Sequence, residues 1–263
     1  PWNTSVQFKT NIVDRDTFGI TSGFIATYRF EVKGTFDCSS IMAIIERPYL
    51  WKTTVNGKEI VPEPGRWWLD RSFGVFKIGP MINQGENTIT LTASPMRVHA
   101  EIEPVYLTGD FSVKPGAKGW YLEAPVNNLT TGSWKDKGLP FYSWGITYRK
   151  EYDIEKISGK YFVSMGKWNG TIAEVKVNGR KAPLMAFPPY KSDISDLLEP
   201  GTNVIDVKVI GSLKNLLGPH FNDPAPGLAS PWHWRNVRSY PPGNEYQLLD
   251  YGLMEEFILM HTD

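Results

Sequence analysis

A short pattern, Val-Asn-Gly followed by a basic residue, occurs twice in this chain, as Val55-Asn56-Gly57-Lys58 and as Val177-Asn178-Gly179-Arg180. Asn-Gly is the strongest short hairpin signal, because both positions tolerate the positive φ that a tight turn between antiparallel strands requires. Each copy has a sequel. Gly85-Glu86-Asn87 opens the run Thr88-Ile89-Thr90-Leu91, and Gly201-Thr202-Asn203 opens Val204-Ile205 with Val207 and Val209 beyond. Both runs are apolar at alternate positions and rich in β-branched residues, as half-buried strands are. Upstream, Thr27-Tyr28-Arg29 is echoed by Thr147-Tyr148-Arg149. All three pairs are offset by roughly 120 positions, which reads as two copies of one β-unit.

The length, 263 residues, suits two domains that each enclose a core. Charge is balanced, 28 basic against 28 acidic residues, so no broad electrostatic case exists for nucleic acid or an anionic membrane as partner. No apolar run approaches the ~18 residues needed to span a bilayer. Cys38 is the sole cysteine, so no intrachain disulfide forms, and its expected role is that of a small core residue. No signal peptide is seen and the chain opens at Pro1, so a processed or excised piece of something longer is expected. One cysteine fits the cytoplasm or an exported bacterial protein, and a secreted or periplasmic location is the expectation. Aromatic content is high, with 10 Trp, 12 Tyr and 13 Phe beside 24 Gly and 20 Pro. That composition suits a turn-rich all-β protein whose rings mostly fill cores.

The expected strands of the first unit are Tyr28 to Val32, the doubly buried run Ile41 to Ile45, Lys52 to Val55, Phe73 to Ile78 and Thr88 to Thr92. A further strand is expected through Ile102, Val105 and Leu107. Lys114-Pro115-Gly116-Ala117-Lys118-Gly119 has the composition of a linker, which places a first β-sandwich at 1–114 and a second at 115–263. The second unit carries strands at Tyr148 to Ile154, Tyr161 to Met165 and Ala173 to Val177, and a helical turn from Asp193 to Leu198 capped by Asp193. Residues 213–246 form a long insertion, and Phe257 to Met260 reads as the closing strand. No convincing helix exceeds two turns. The fold class expected is therefore all-β, two tandem antiparallel β-sandwiches.

Residues 140–212 resemble the sugar-binding jelly-roll domain of family 2 glycoside hydrolases, within the galactose-binding-like superfamily. The likeness is carried by Tyr148-Arg149-Lys150-Glu151-Tyr152, Val175-Lys176-Val177-Asn178-Gly179, Pro188-Pro189-Tyr190 and the stretch from Asp193-Ile194-Ser195 to Gly201-Thr202-Asn203. The first unit is similar but looser, with Trp67-Trp68-Leu69-Asp70 in the place of Pro188 to Tyr190. The run from Glu101 to Phe111 also resembles the non-catalytic C-terminal part of large bacterial α-L-rhamnosidase-type enzymes. The resemblance implies a jelly-roll fold and an ancillary, non-catalytic role. The implied partners are a poly- or oligosaccharide and the catalytic domain of a parent glycosidase. A structural calcium is a further implication, and no cofactor is required.

Sugar rings present C–H faces that stack on indoles and phenols, while polar side chains fix the hydroxyls. Trp232-His233-Trp234-Arg235 gathers two indoles, an imidazole and a guanidinium in the long insertion. These residues, with Trp67, Trp68 and Trp168, are the candidate ligand contacts; the competing reading makes the insertion's rings packing groups. Asn222 and Asp223, beside His220, offer oxygen ligands of the kind calcium takes, or caps for loop backbone. Glu101 and Glu103 lie two apart, so on a strand they would share one face. Paired carboxylates serve glycoside hydrolysis, but on a solvated strand such a pair is ordinary surface. A self-contained sandwich-fold enzyme would need two carboxylates, or a His and an Arg, converging in one cleft. A module that only braces a catalytic domain would show a flat apolar patch instead.

Overall fold

The computed structural model describes residues 17–218 and 241–263. They form two compact units, one of residues 17–112 with 120–125 and the other of residues 113–119 with 126–218 and 241–263. The all-β expectation holds. Among the described residues no helix exceeds four residues, and the single α-helical turn is Lys214–Leu217.

In chain order the first ten strands are β1 (Phe24–Val32), β2 (Met42–Glu46), β3 (Lys52–Val55), β4 (Lys58–Ile60), β5 (Trp67–Trp68), β6 (Asp70–Lys77), β7 (Gly85–Ala93), β8 (Tyr106–Thr108), β9 (Ser112–Pro115) and β10 (Trp120–Glu123). One sheet of the first unit runs β4-β3-β7-β1-β10, and the other β5-β6-β2-β8. Pairing is antiparallel except for β1 with β10, where Glu31 faces Tyr121. Period-2 patterning sets the faces. β7 buries Asn87, Ile89, Leu91 and Ala93 and turns Thr88, Thr90 and Thr92 the other way. β2 is buried on both faces through Ala43, Ile44 and Ile45, as its unbroken apolar run predicts.

The second unit holds β11 (Gly145–Ile154), β12 (Lys160–Ser164), β13 (Trp168–Asn169), β14 (Ile172–Val177), β15 (Arg180–Lys181), β16 (Lys191–Asp193), β17 (Gly201–Ile210), β18 (Gly252–Leu253) and β19 (Ile258–Thr262). A sheet ordered β11-β17-β14-β15 and a sheet ordered β16-β12-β19 share one apolar cluster, with β13 and β18 paired beside them. Ile205, Val207 and Val209 enter it from β17, Val175 and Val177 from β14, and Val163 from β12. β19 closes its sheet against β12 with Phe162 opposite Met260.

Both Asn-Gly turns adopt the mirror-image hairpin geometry, with φ of 49° and 80° at Asn56 and Gly57 and of 51° and 80° at Asn178 and Gly179. The Gly-x-Asn element then supplies a partner from the neighbouring strand. In the second unit the Asn178 Nδ2 donates to Asn203 Oδ1 at 2.9 Å while the backbone N–H of Val204 donates to Asn178 Oδ1 at 2.9 Å. In the first, Asn56 Nδ2 donates to Asn87 Oδ1 at 2.8 Å and Thr88 N–H donates to Asn56 Oδ1 at 2.9 Å. The repeat is thus reproduced in two amide pairs, each joining a hairpin asparagine to a fully buried one, Asn87 or Asn203.

Three Asp-x-Ser triplets form a second recurring device. Asp37, Asp70 and Asp193 each accept both the backbone N–H and the hydroxyl of the serine two residues on. These bonds hold all three carboxyls below the usual range. The third precedes the short 3-10 turn Ser195–Leu197, which is shorter than the expected Asp193 to Leu198 and has Ile194, not Asp193, at its N-cap.

Two local expectations are corrected. The strand through Ile102 and Val105 is confined to Tyr106–Thr108, and residues 99–105 are irregular. Pro104 lacks the N–H that a ladder needs. Cys38 is half-buried and not a core residue; its Sγ lies 3.7 Å from the Phe36 carbonyl.

Candidate functional site

β2 ends at Glu46, and the chain turns sharply through Arg47 into the 3-10 turn Pro48–Leu50. Arg47 sits in the left-handed region at φ 46° and ψ 59°. A side chain there costs about 1–2 kcal/mol, and a residue preceding proline favours extended backbone. The conformation is held by the Arg47 N–H, which donates to Ser72 O at 2.8 Å, and by Leu50 N–H, which donates to Arg47 O at 2.9 Å. Trp51 follows. Its Nε1 donates to Glu46 O at 3.0 Å and its ring meets Phe24 edge-on at 5.8 Å. The indole is therefore fixed before any ligand arrives.

Opposite this turn runs the irregular segment 99–105. Two ties hold it: the Tyr28 hydroxyl of β1 donates to Glu103 O, and Nη1 of Arg47, in the turn after β2, donates to His99 O at 3.3 Å. Between turn and segment lies a shallow, open cleft whose enclosed space, about 10 Å³, takes about one water molecule. Leu50, Trp51, Leu91 and Val105 form its apolar wall, and Glu46, Arg47, His99, Glu101 and Glu103 its polar one.

The electrostatics are uneven. Arg47 Nε lies 3.5 Å from Glu46 Oε1. Glu101 and Glu103 are exposed and join no ion pair among the described residues. The phenols beside them respond. Burial pushes the Tyr28 hydroxyl above its ordinary value, and the Glu103 charge pushes it further. Tyr106 is raised first by burial, then by Glu103 and Glu46. A raised folded value means that the native state holds the proton more tightly than the unfolded chain. The stabilisation is complete below about pH 10 and is lost as pH climbs through the folded value. Thermal melts at stepped pH should therefore show Tm falling on the alkaline side. Tyr28→Phe should start lower, having lost the tie to Glu103, and then fall less steeply. Equal alkaline slopes for the two proteins would contradict the assignment.

The other sequence-predicted residues are dispersed. Trp67 and Trp68 form β5 at the edge of their sheet. Trp67 is 53% exposed and Trp68 half-buried, the in-and-out pair expected of adjacent strand positions. Trp168 is half-buried against the core of the second unit, edge-on to Tyr190 at 5.1 Å, and its buried Nε1 has no partner among the described residues. His220, Asn222, Asp223, Trp232, His233, Trp234 and Arg235 lie outside the described residues. Among the described residues no group of three or more His, Cys, Asp or Glu is arranged to hold a metal, and no helix is long and apolar enough to cross a membrane.

Glu101 and Glu103 do come together, in the cleft and not on a strand face. Trp51 gives no signal in the sequence. It stands singly before a strand with no motif around it, and the left-handed Arg47 that orients it carries no composition signal.

No family model matches the chain, and no curated protein matches it. Among solved structures, it is similar to a rhamnosidase from Novosphingobium sp. PP1Y, at 16% identity over 91% of this chain and 23% of that one, with a TM-score of 0.35. It is also similar to the Streptomyces avermitilis α-L-rhamnosidase complexed with L-rhamnose, at 14% identity over 74% of this chain and 22% of that one, with a TM-score of 0.29. A third is the β-D-mannosidase of Dictyoglomus thermophilum, at 17% identity over 58% of this chain and 22% of that one, with a TM-score of 0.30. The chain spans less than a quarter of the length of each of these glycoside hydrolase chains.

Proposed function

We propose that this chain is a non-catalytic, glycan-binding region of a polysaccharide-degrading glycoside hydrolase, and that the cleft beside Trp51 is its sugar site. The observation that carries the reading is the meeting, around one shallow cleft, of a half-buried, hydrogen-bonded indole with carboxylate, guanidinium and imidazole groups. An apolar face accepts the C–H surface of a pyranose, and the convergent polar groups take its hydroxyls. The resemblance of residues 140–212 to sugar-binding jelly-roll domains supports the same class of ligand.

The test is calorimetric titration with a panel of plant and microbial oligosaccharides. A wild-type isotherm that saturates, weakened about tenfold in Trp51→Ala, is the expected result, since an aromatic platform contributes on that scale. Trp51→Phe, which keeps a ring, should recover part of the loss and controls for folding. Binding lost in Trp67→Ala but kept in Trp51→Ala would move the site to the edge strand.

A bracing role against a catalytic domain has one observation in its favour. Leu184 is 59% and Phe187 82% exposed, on a loop pinned by the buried Met185, whose N–H and C=O both bond Ala173. Absence of binding to every glycan in the panel would favour that role and sink the first reading.

A further inference from the structure

Residues 182–189 of the second unit carry no polar side chain. They link β15, at the edge of one sheet, to β16, at the edge of the other. Pro183, Leu184, Phe187, Pro188 and Pro189 are exposed, and Phe187, at 82%, is the most exposed large apolar side chain among the described residues. The crest is nonetheless stiff. Ala182 N–H donates to Val175 O at 2.9 Å, Met185 exchanges both backbone bonds with Ala173 at 3.0 Å, Ser192 Oγ donates to Pro183 O at 2.7 Å and Lys191 N–H donates to Pro189 O at 2.7 Å. Its backbone also suits a dry medium. Three of the eight residues are prolines without an N–H, and the N–H groups of Ala182 and Met185 are bonded within the unit. Few donors would lose water on entering an apolar phase, where an unpaired N–H is costly.

Three kinds of occupant compete for such a crest. A sugar needs side chains that fix its hydroxyls, and this stretch has none. A folded partner, or a second copy of this chain, needs about 800 Å² on each side. A buried aromatic ring contributes roughly 200 Å², so Phe187 and Leu184 with their prolines fall well short. A bilayer surface needs only a few apolar side chains and cations beside them. The cations are present. Lys181 and Lys191, both exposed, stand at the two feet of the crest. Lys176 faces Lys181 across β14 and β15. Like charges set opposite one another in a ladder repel, and an anionic surface relieves that repulsion. The balanced charge of the whole chain does not oppose this, because such attraction acts within about a Debye length.

We infer that the crest at 182–189 is a membrane-surface contact: Phe187 and Leu184 enter the headgroup boundary of an anionic bilayer while Lys176, Lys181 and Lys191 face its anionic headgroups. The chain would lie on the bilayer without spanning it.

The experiment is vesicle flotation of the 263-residue chain, with vesicles of phosphatidylcholine alone and of phosphatidylcholine mixed with phosphatidylglycerol, at low and at high salt. The wild type should float with the mixed vesicles at low salt, and less as salt rises. Phe187→Ser should weaken that binding about tenfold. Lys181→Gln with Lys191→Gln should bring binding to the mixed vesicles close to binding to phosphatidylcholine alone and flatten the salt dependence. All three positions are exposed, and an unchanged Tm checks that the variants fold. Absence of flotation with both vesicles would overturn the inference and leave the crest to the bracing role. Equal flotation of the wild type and Phe187→Ser would overturn it too, by placing any lipid contact elsewhere. Neither result bears on the glycan titrations, which use no lipid.

Discussion

Asn203→Ala is expected to lower the unfolding free energy by roughly 2–4 kcal/mol, although it removes only a small side chain. Asn203 has no exposed surface. Its Oδ1 accepts from Asn178 Nδ2 and from the Glu199 N–H, both at 2.9 Å, and its Nδ2 donates to Glu199 O at 2.7 Å and Gly201 O at 2.9 Å. Alanine strands all four partners. A net intramolecular hydrogen bond contributes about 1 kcal/mol, and a buried group left unpaired costs more. Asn203→Asp should cost at least as much, because a carboxylate would aim oxygen at two carbonyls and bury charge besides. Asn87→Ala should act alike in the first unit, where Asn87 Nδ2 donates to Asn83 O and Gly85 O and Oδ1 accepts from Asn56 and the Asn83 N–H. Urea unfolding followed by circular dichroism gives the answer. Losses below about 0.5 kcal/mol, the scale of ordinary surface substitutions, would show that the amide pair is incidental.

The same network shows what sequence could and could not reveal. The Asn-Gly dipeptides announce their hairpins by local chemistry alone, and that chemistry suffices to end β3 at Val55 and β14 at Val177. Alternation marks β7 and β17, whose inward residues are the alternate ones. That Asn87 and Asn203 point inward is harder to read, because asparagine in a Gly-x-Asn turn looks like a solvent-facing turn residue. Only its pairing with a hairpin asparagine some 25 to 31 positions away makes it a core residue. The cleft is less legible still. Glu101 and Glu103 are visible as a pair, yet strand logic gives them a flat solvated face, and Pro104 instead leaves them on an irregular segment. Trp51 and Arg47 join that segment through contacts to residues about fifty positions away, such as the Arg47 bond to His99 O. Local pattern carries no information at that range.

Trp134→Ala should be the most damaging single change in the second unit, at roughly 3–5 kcal/mol. Trp134 is 1% exposed and the largest fully buried side chain among the described residues. Its ring packs against Tyr142 at 5.9 Å and Tyr251 at 6.2 Å, and its Nε1 donates to Tyr148 Oη at 2.8 Å. That oxygen also accepts the Leu253 N–H at 3.2 Å, so one indole and one phenol tie the lead-in segment to β11 and β18. Trp134→Phe separates the two contributions. It keeps most of the packing and loses the hydrogen bond, so about 1–2 kcal/mol is expected. Gly252→Ala attacks the same contact from the other side. Gly252 has φ 126°, and a Cβ there would lie 2.6 Å from Trp134 Nε1 and 2.7 Å from Gly132 O. No rotamer relieves a clash with backbone oxygen, and an L side chain is strained at that φ. The indole must then move, so Gly252→Ala should cost about as much as Trp134→Phe or more, and the double variant should cost less than the sum. Strict additivity in a double-mutant cycle would mean that the glycine is not there to admit the indole.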